Sequence, residues 1–416
     1  MVTSSRPSPR EATRAIVLVG FAEALSAPEV VWSLVDDGFK VIAFARRGRL
    51  SPLRYSRHVI CHEISAPEFN LQEAISDLRS LLVSLSAADN GSDLLLLPLD
   101  DKAIYLCSKV HLDGNWRLAG PVGDSATLAL NKDQQVDAAQ SAGFAVPKTI
   151  IVRSAADLYS SSFDLSFPLI LKPAQCVPIS QGRLYKGRNW ICANQDELTS
   201  AITQWAERVP LLVQPFISGV GEGVFGLAAA DGIRAWSAHR RLRMMNPQGS
   251  GSSACISQPV PAEIRRKAET FLNAIKWRGL FMIELLRDDL GNLWFVELNG
   301  RSWGSMALSR RQGLEYPSWQ VRLALDEKSS VGTPPDSLPV GLVCRNVGRE
   351  LMHMLFVLRG AKSTALTDWP SVWKTLAQVL HIRKGDTFYN WRRDDRKVFV
   401  ADCYCAMRDN LWRTRI

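Results

Sequence analysis

The stretch FMIELLRDDLGNLWFVELNGRSWGSMALS, Phe281–Ser309, decides how this chain is read. Phe281–Leu285 and Leu293–Leu298 are apolar and aromatic, as strands are. Between them, Asp288-Asp289-Leu290-Gly291-Asn292 is turn chemistry. The pattern predicts a β-hairpin. Glu297 and Asn299 are two residues apart and share a strand face. A turn centred near Leu290 and Gly291 places Glu284 opposite Glu297. Facing carboxylates repel and destabilise a hairpin. A divalent cation removes that penalty, and Mg²⁺ takes hard oxygen ligands, usually one or two carboxylates together with nucleotide phosphates. A slip of one residue in register would turn Glu284 to the other face. The plainer reading is a solvent-facing edge with ordinary charges. Against it, each glutamate interrupts an otherwise apolar strand, and Arg301 follows Asn299 closely.

The chain has 416 residues, 46% hydrophobic and 22% charged, which is globular composition and enough for two or three domains. No apolar run approaches the ~18 residues that span a bilayer. The apolar stretch from Ala15 stops at Glu23 without a cleavage site, so a signal peptide is not expected. Eight cysteines include no Cys-x-x-Cys pair, and Cys403 with Cys405 are too few ligands for zinc. Reduced thiols and a cytoplasmic location follow as expectations. The net charge of +9 is uneven: Arg301–Ile416 carries 19 lysines and arginines against 11 acids, so the other 300 residues are near neutral.

Residues 1–14 are polar and expected to be disordered. Ala15–Gly20 reads as a buried strand, Pro28–Asp37 as a helix and Lys40–Ala45 as the next strand, a β-α-β opening of the doubly wound kind. Helix Leu71–Ser86, strand Leu94–Leu97 and the acidic Asp100-Asp101 continue the alternation. Residues 15–125 form one Rossmann-like unit on this reading. It lacks Gly-x-Gly-x-x-Gly, so a dinucleotide site is not supported.

Further along, Lys132–Ala142 reads as a helix closed by Gly143. In Phe167–Pro173, Lys172 stands within an apolar strand, where an ammonium is costly to desolvate without a partner. A phosphate suits such a point charge; the alternative is an edge lysine that reaches out to solvent. Leu211–Gly219 is a second apolar strand, Ala238–Arg243 ends a strand that begins near Ile233, and Ile264–Ile275 has helical spacing. Alternation separates Arg240 from Arg241 and Arg243.

The order of these features resembles the ATP-grasp superfamily, over residues 126–330 with the Rossmann-like unit as its pre-ATP-grasp domain. The resemblance implies that Glu284, Glu297 and Asn299 hold one or two Mg²⁺ ions, Mn²⁺ being a possible substitute. It implies that Lys132 and Lys172 steady the phosphates of ATP. Gln214 and Phe216 would lie in the hinge strand along the adenine edge, and Glu222 would accept from the ribose hydroxyls. Lys132 and Glu222 have plainer readings as a solvated helix-start lysine and a loop carboxylate. Arg301 would contact the transferred phosphate or a substrate carboxylate. The basic strand is similar to one in uncharacterised ATP-grasp carboxylate–amine ligases, which implies that Arg241 and Arg243 face the phosphates, a solvated face being the alternative. The family's usual proline between Asn and Arg is Gly300 here, and its glycine-rich flap corresponds to Ala174–Arg188, which holds only Gly182 and Gly187.

The implied activity is an ADP-forming carbon–nitrogen ligase that joins a small carboxylate to a small amine through an acyl phosphate. An ATP-binding regulatory or scaffold protein on the same fold is the alternative. Residues 331–416 read as a small, mostly helical cap with helices around Arg349–Leu358 and Ser371–Leu380, rich in basic and aromatic residues. Its other reading is a surface for anionic membrane or nucleic acid, of which nucleic acid is not the expected partner.

Overall fold

The computed structural model describes residues 15–88, 91–160, 166–185, 187–205, 209–249, 251–326, 334–361, 363–366 and 368–412. Residues 1–14, expected to be disordered, lie outside these. Continuous apolar runs build the first sheet: β1 (Ile16–Gly20), β2 (Lys40–Arg46), β3 (Ile60–Ile64), β4 (Leu94–Pro98) and β5 (Trp116–Leu118). All are parallel, in the order β3-β2-β1-β4-β5. Alternate residues of β1 enter two cores. Val17 and Val19 pack on α1 (Ala27–Asp36). Ile16 and Leu18 pack on α2 (Leu71–Ala88). A parallel sheet covered on both faces needs such unbroken apolar strands. The helix α3 (Asp101–Cys107) follows β4, capped by the Asp100 carboxylate on the Ala103 N–H at 2.7 Å.

Helices α4 (Gly123–Leu130) and α5 (Lys132–Ser141) lead into an antiparallel sheet. It comprises β6 (Ile150–Val152), followed by α6 (Ala155–Ser160), then β7 (Leu169–Pro173). After a separate two-stranded hairpin, β8 (Ile179–Ser180) and β9 (Arg183–Leu184), come β10 (Trp190–Cys192), α7 (Gln195–Trp205) and β11 (Leu211–Pro215). The order is β10-β7-β11-β6.

The largest sheet has seven strands. Five of them are β12 (Val220–Ala229), β13 (Gly232–Met244), β14 (Ser252–Gln258), β15 (Gly279–Arg287) and β16 (Leu293–Asn299). On one face, Val224, Ile283 and Phe295 pack with Phe271 and Leu272 of α8 (Ala262–Ala274). On the other, Phe225 and Met282 pack with Trp303 and with Tyr316 and Trp319, which follow α9 (Met306–Arg311) on α10 (Tyr316–Leu325).

The C-terminal segment is mostly helical, as expected, and adds two short strands that the sequence reading did not include. Its strands β17 (Val343–Arg345) and β18 (Thr387–Phe388) extend the large sheet beyond β14, giving β16-β15-β12-β13-β14-β17-β18. The helices α11 (Val347–Arg359) and α12 (Val372–Leu380) fall where expected, and α13 (Arg396–Trp412) occupies the final stretch. That segment also binds the first domain. Asp395 accepts from Trp32 Nε1 at 3.0 Å and from the Arg57 N–H at 3.1 Å, and Arg392 meets Asp36 at 2.8 Å. Among the described residues no helix is long and apolar enough to cross a membrane.

Candidate active site

The hairpin β15–β16 pairs Glu284 with Glu297 and Met282 with Asn299, so the three oxygen-bearing side chains share one face. The next strand places Gly221 and Gly223 on that face, Gly223 directly opposite Glu284. A Cβ at Gly221 would lie 2.7 Å from Arg241 Cδ. The missing side chain lets Arg241 cross β12 and pair with Glu284, Nη2 to Oε1 at 2.8 Å.

Two lysines approach from outside the large sheet, Lys132 from α5 and Lys172 from the smaller sheet. Lys132 opens α5, its N–H donates to the Ala174 carbonyl at 2.8 Å, and its ammonium meets Glu297 Oε2 at 2.9 Å. Burial opposes ionisation of Glu297, but Lys132, Asn299 and Arg301 outweigh it and hold the carboxyl down at about 2. In β7, Leu169 and Leu171 enter the core while Ile170 and Lys172 line the cavity. The Lys172 ammonium forms no hydrogen bond or ion pair among the described residues. Burial first, and the charge of Lys132 second, pull its ammonium down to about 8.

Arg301 donates to Asp101 at 2.6 and 3.2 Å and to Asn299 Oδ1 at 3.0 Å. Asn299 Nδ2 in turn donates to Glu297 Oε1 at 3.1 Å. A relay therefore runs from Lys132 through Glu297, Asn299 and Arg301 to Asp101 of the first domain. At Gly300, a Cβ would lie 2.5 Å from the Trp277 ring, which occupies the space that the family's proline would need. Gln214 donates from Nε2 to Thr149 Oγ1 at 2.8 Å, and the Phe216 N–H donates to the Pro168 carbonyl at 2.8 Å. Both line the cavity, beside Ile170 and Ile191.

These groups surround one cavity of about 1320 Å³ that opens between the four-stranded sheet, the seven-stranded sheet and the first domain. Such a volume takes more than one small molecule. The donor set of two carboxylates and an amide suits Mg²⁺, which completes its shell from phosphate and water. Among the described residues no cluster of three His, Cys, Asp or Glu side chains stands ready to cage a metal alone.

Two expected residues lie elsewhere. Glu222 falls between Gly221 and Gly223, so its carboxylate leaves the opposite face of β12, where Arg287 binds it at 2.7 and 3.0 Å and Gln258 at 3.1 Å. It therefore cannot reach a ribose in the cavity. Arg243 is separated from Arg241 by an irregularity in the pairing of β13 with β14. Its guanidinium binds Glu350 twice, at 2.8 Å each, inside a cluster that also holds Arg345. It is a part-buried strut of the sheet and not a phosphate contact.

The structure adds groups that the sequence did not single out. Arg46, at the carboxyl end of β2, binds Glu23, Glu68 and Asp100 at 3.2, 2.9 and 2.9 Å. Glu23, Asp100 and Asp101 line the cavity, at the strand ends where doubly wound sheets bind ligands. Arg349 of α11 lines it from the C-terminal segment. Asp100-Asp101 after a strand was visible as acid in the sequence; its place beside Arg301 required the sheet order. The hairpin β8–β9 stands where the flap was expected. It rests on the first domain, with Val177 and Leu184 in the core of Ile16 and Leu18, and with backbone bonds from Leu71 to Gly182 and from Leu184 to Pro67 at 3.0 and 2.8 Å.

No protein-family profile and no curated protein matches the sequence. Solved structures do. The L-amino acid ligase from Bacillus licheniformis is similar with a TM-score of 0.55 at 17% identity, over 76% of this chain and 75% of that one. The ADP complex of N5-carboxyaminoimidazole ribonucleotide synthetase gives 0.58 at 13% identity, over 95% and 97%. The biotin carboxylase domain of Hydrogenobacter thermophilus 2-oxoglutarate carboxylase, in complex with MgADP and bicarbonate, gives 0.58 at 15% identity, over 80% and 74%. Identities this low speak for architecture alone: the chain has the ATP-grasp fold.

Proposed function

We propose that this chain is an ATP-dependent carboxylate–amine ligase that forms an amide bond through an acyl phosphate. The observation that carries the reading is the convergence of Lys132, Lys172, Arg241, Glu284, Glu297, Asn299 and Arg301 on one cavity. Hard oxygen donors, two ammonium groups and two guanidinium groups around a single cavity match a magnesium-bound triphosphate beside an acid. The ADP and MgADP in the similar structures agree with that ligand.

Lys132 and Lys172 steady the phosphates. Glu284, Glu297 and Asn299 would hold Mg²⁺, which would supply neutralisation of phosphate charge. Arg301 and Arg241 orient the substrate carboxylate against the γ-phosphorus. A carboxylate oxygen attacks phosphorus and ADP leaves. The amine then attacks the acyl carbon, phosphate leaves and the nitrogen loses a proton. Positioning and charge complementarity supply the rate, with no covalent intermediate on the protein. Asp101 holds Arg301 from the first domain, which couples the acceptor side to the transfer centre.

The test is ADP release from MgATP across a panel of small carboxylates and amines. Release that requires both an acid and an amine is expected, with Glu297→Ala as a folded blank that loses at least about a hundredfold in rate, as removal of a charge-stabilising group does. Nucleotide binding without turnover of any acid and amine would favour a regulatory role instead.

A further inference from the structure

The C-terminal segment places in the cavity wall an arginine that the reaction just described does not use. Arg349 lies in the first turn of α11, where its N–H donates to the Asn346 side chain at 2.9 Å. Its guanidinium donates from Nη1 to the Ser252 carbonyl at 3.2 Å. Among the described residues no carboxylate pairs with it. The other arginines of this region are offset: Arg241 by Glu284, Arg301 by Asp101, and Arg243 and Arg345 by Glu350. Asp402 is the acid whose charge acts most strongly on Arg349, but it accepts from Asn346 Nδ2 at 2.8 Å and burial raises its own pKa. Burial likewise lowers the pKa of Arg349. A half-buried guanidinium that lacks an anion is unfavourable, and the fork of N–H donors matches a carboxylate. Gly251 makes the room: a Cβ there would lie 2.7 Å from Nη1.

We propose that Arg349 is the anion-holding residue of a subsite, built by α11 and the Gly251–Ser252 turn, for a substrate carboxylate that the reaction does not consume. Resting on the ligase reading, this makes the amine donor an amino acid. Its amine faces the acyl phosphate near Arg241 and Arg301, and its own carboxylate is anchored on Arg349.

The experiment measures binding to the MgADP-loaded full chain by calorimetry, so it does not depend on turnover. The probes are the proteinogenic amino acids, their carboxamides and inorganic phosphate. At least one amino acid should bind, its carboxamide should bind much more weakly, and Arg349→Met should weaken the acid by on the order of thirtyfold or more. Gly251→Ala, which displaces the guanidinium without removing it, should weaken the same ligand, and Arg349→Lys should fall between. MgATP affinity should stay within about twofold in all three variants. The proposal is overturned if no amino acid binds, if the carboxamide binds as well as the acid, if Arg349→Met keeps full affinity, or if phosphate alone occupies the site. Amino-acid binding that depends on Arg349 in a protein that never turns over MgATP would leave the subsite standing and remove the ligase reading.

Discussion

Lys172 carries its charge where the fold gives it least help. Its ammonium is pulled from the ordinary 10.5 to about 8. A base that binds its proton less tightly when folded opposes folding while both states are protonated. That penalty is full below about pH 8 and fades as pH rises toward 10.5, so this group alone makes stability increase across that window. A bound triphosphate reverses the balance by favouring the charged form. Just above pH 8, MgATP binding should therefore take up a proton. Calorimetry in buffers of different ionisation enthalpy reads that uptake as a slope, and Lys172→Met should flatten it. The same slope in both proteins would remove Lys172 from the phosphate site. This residue was legible because a lysine in an apolar strand demands a reason. Glu222 and Arg243 were misread for another cause. Alternation says which residues share a face but not which face meets the cavity, and an irregularity after Arg241 shifts the register that the argument needed. Gly221, next to Glu222, was the overlooked signal, since it marks the side kept clear for Arg241.

At the scale of elements, the hairpin β15–β16 was readable because its turn is local chemistry. Asp288 Oδ1 accepts from the Leu290 and Asn292 N–H groups at 3.0 and 2.8 Å, which sets the register that brings Glu284 to Glu297. Strands β17 and β18 have three and two residues, too few for any period to show. Helix α9 was also hidden, yet it anchors the large sheet to α1 through one arginine. Arg310 binds Glu29 at 2.9 Å, Asp36 at 3.0 Å and Glu315 at 2.8 Å, and Glu29 is only 1% exposed. Arg310→Met leaves a buried carboxylate with Arg311 at 3.6 Å and the Asn390 N–H at 3.2 Å. A loss of roughly 3 kcal/mol is expected, the low end for a broken buried pair because these partners remain. Urea unfolding at unchanged m reads it. Adding Glu29→Gln should restore part of the loss by removing the stranded charge. A loss below about 1 kcal/mol would mean that the pair behaves as a solvated one.

Across the whole molecule, the excess of positive charge toward the C-terminus was plain in the sequence, but its meaning was not. A charge count cannot say whether arginines meet solvent, lipid or the chain's own acids. Here Arg301 meets Asp101, Arg310 meets Glu29, Arg322 meets Asp37 and Arg392 meets Asp36, so part of the excess is matched by acids of the first domain. The aromatic residues divide likewise: Tyr389 is buried, while Tyr404 stays exposed. The segment thus ties the large sheet to the first domain across the cavity, and Asp395 is the tightest knot. It is buried and accepts from the Trp32 indole, the Ser56 hydroxyl and the Arg57 N–H. Asp395→Ala would strand the indole N–H in the core of the first domain, at about 1–3 kcal/mol for an unsatisfied buried donor. The effect should also be regional. Amide exchange in Arg396–Trp412 and in the short 3₁₀ turn Pro52–Tyr55 packed against it should accelerate together, while β12, β15 and β16 keep their protection. Asp395→Asn retains one acceptor oxygen and should recover part of the loss. Exchange that accelerates evenly through all three sheets would instead show that the segment and the sheets unfold as one unit, and the C-terminal wall of the cavity could then not move apart from the transfer centre.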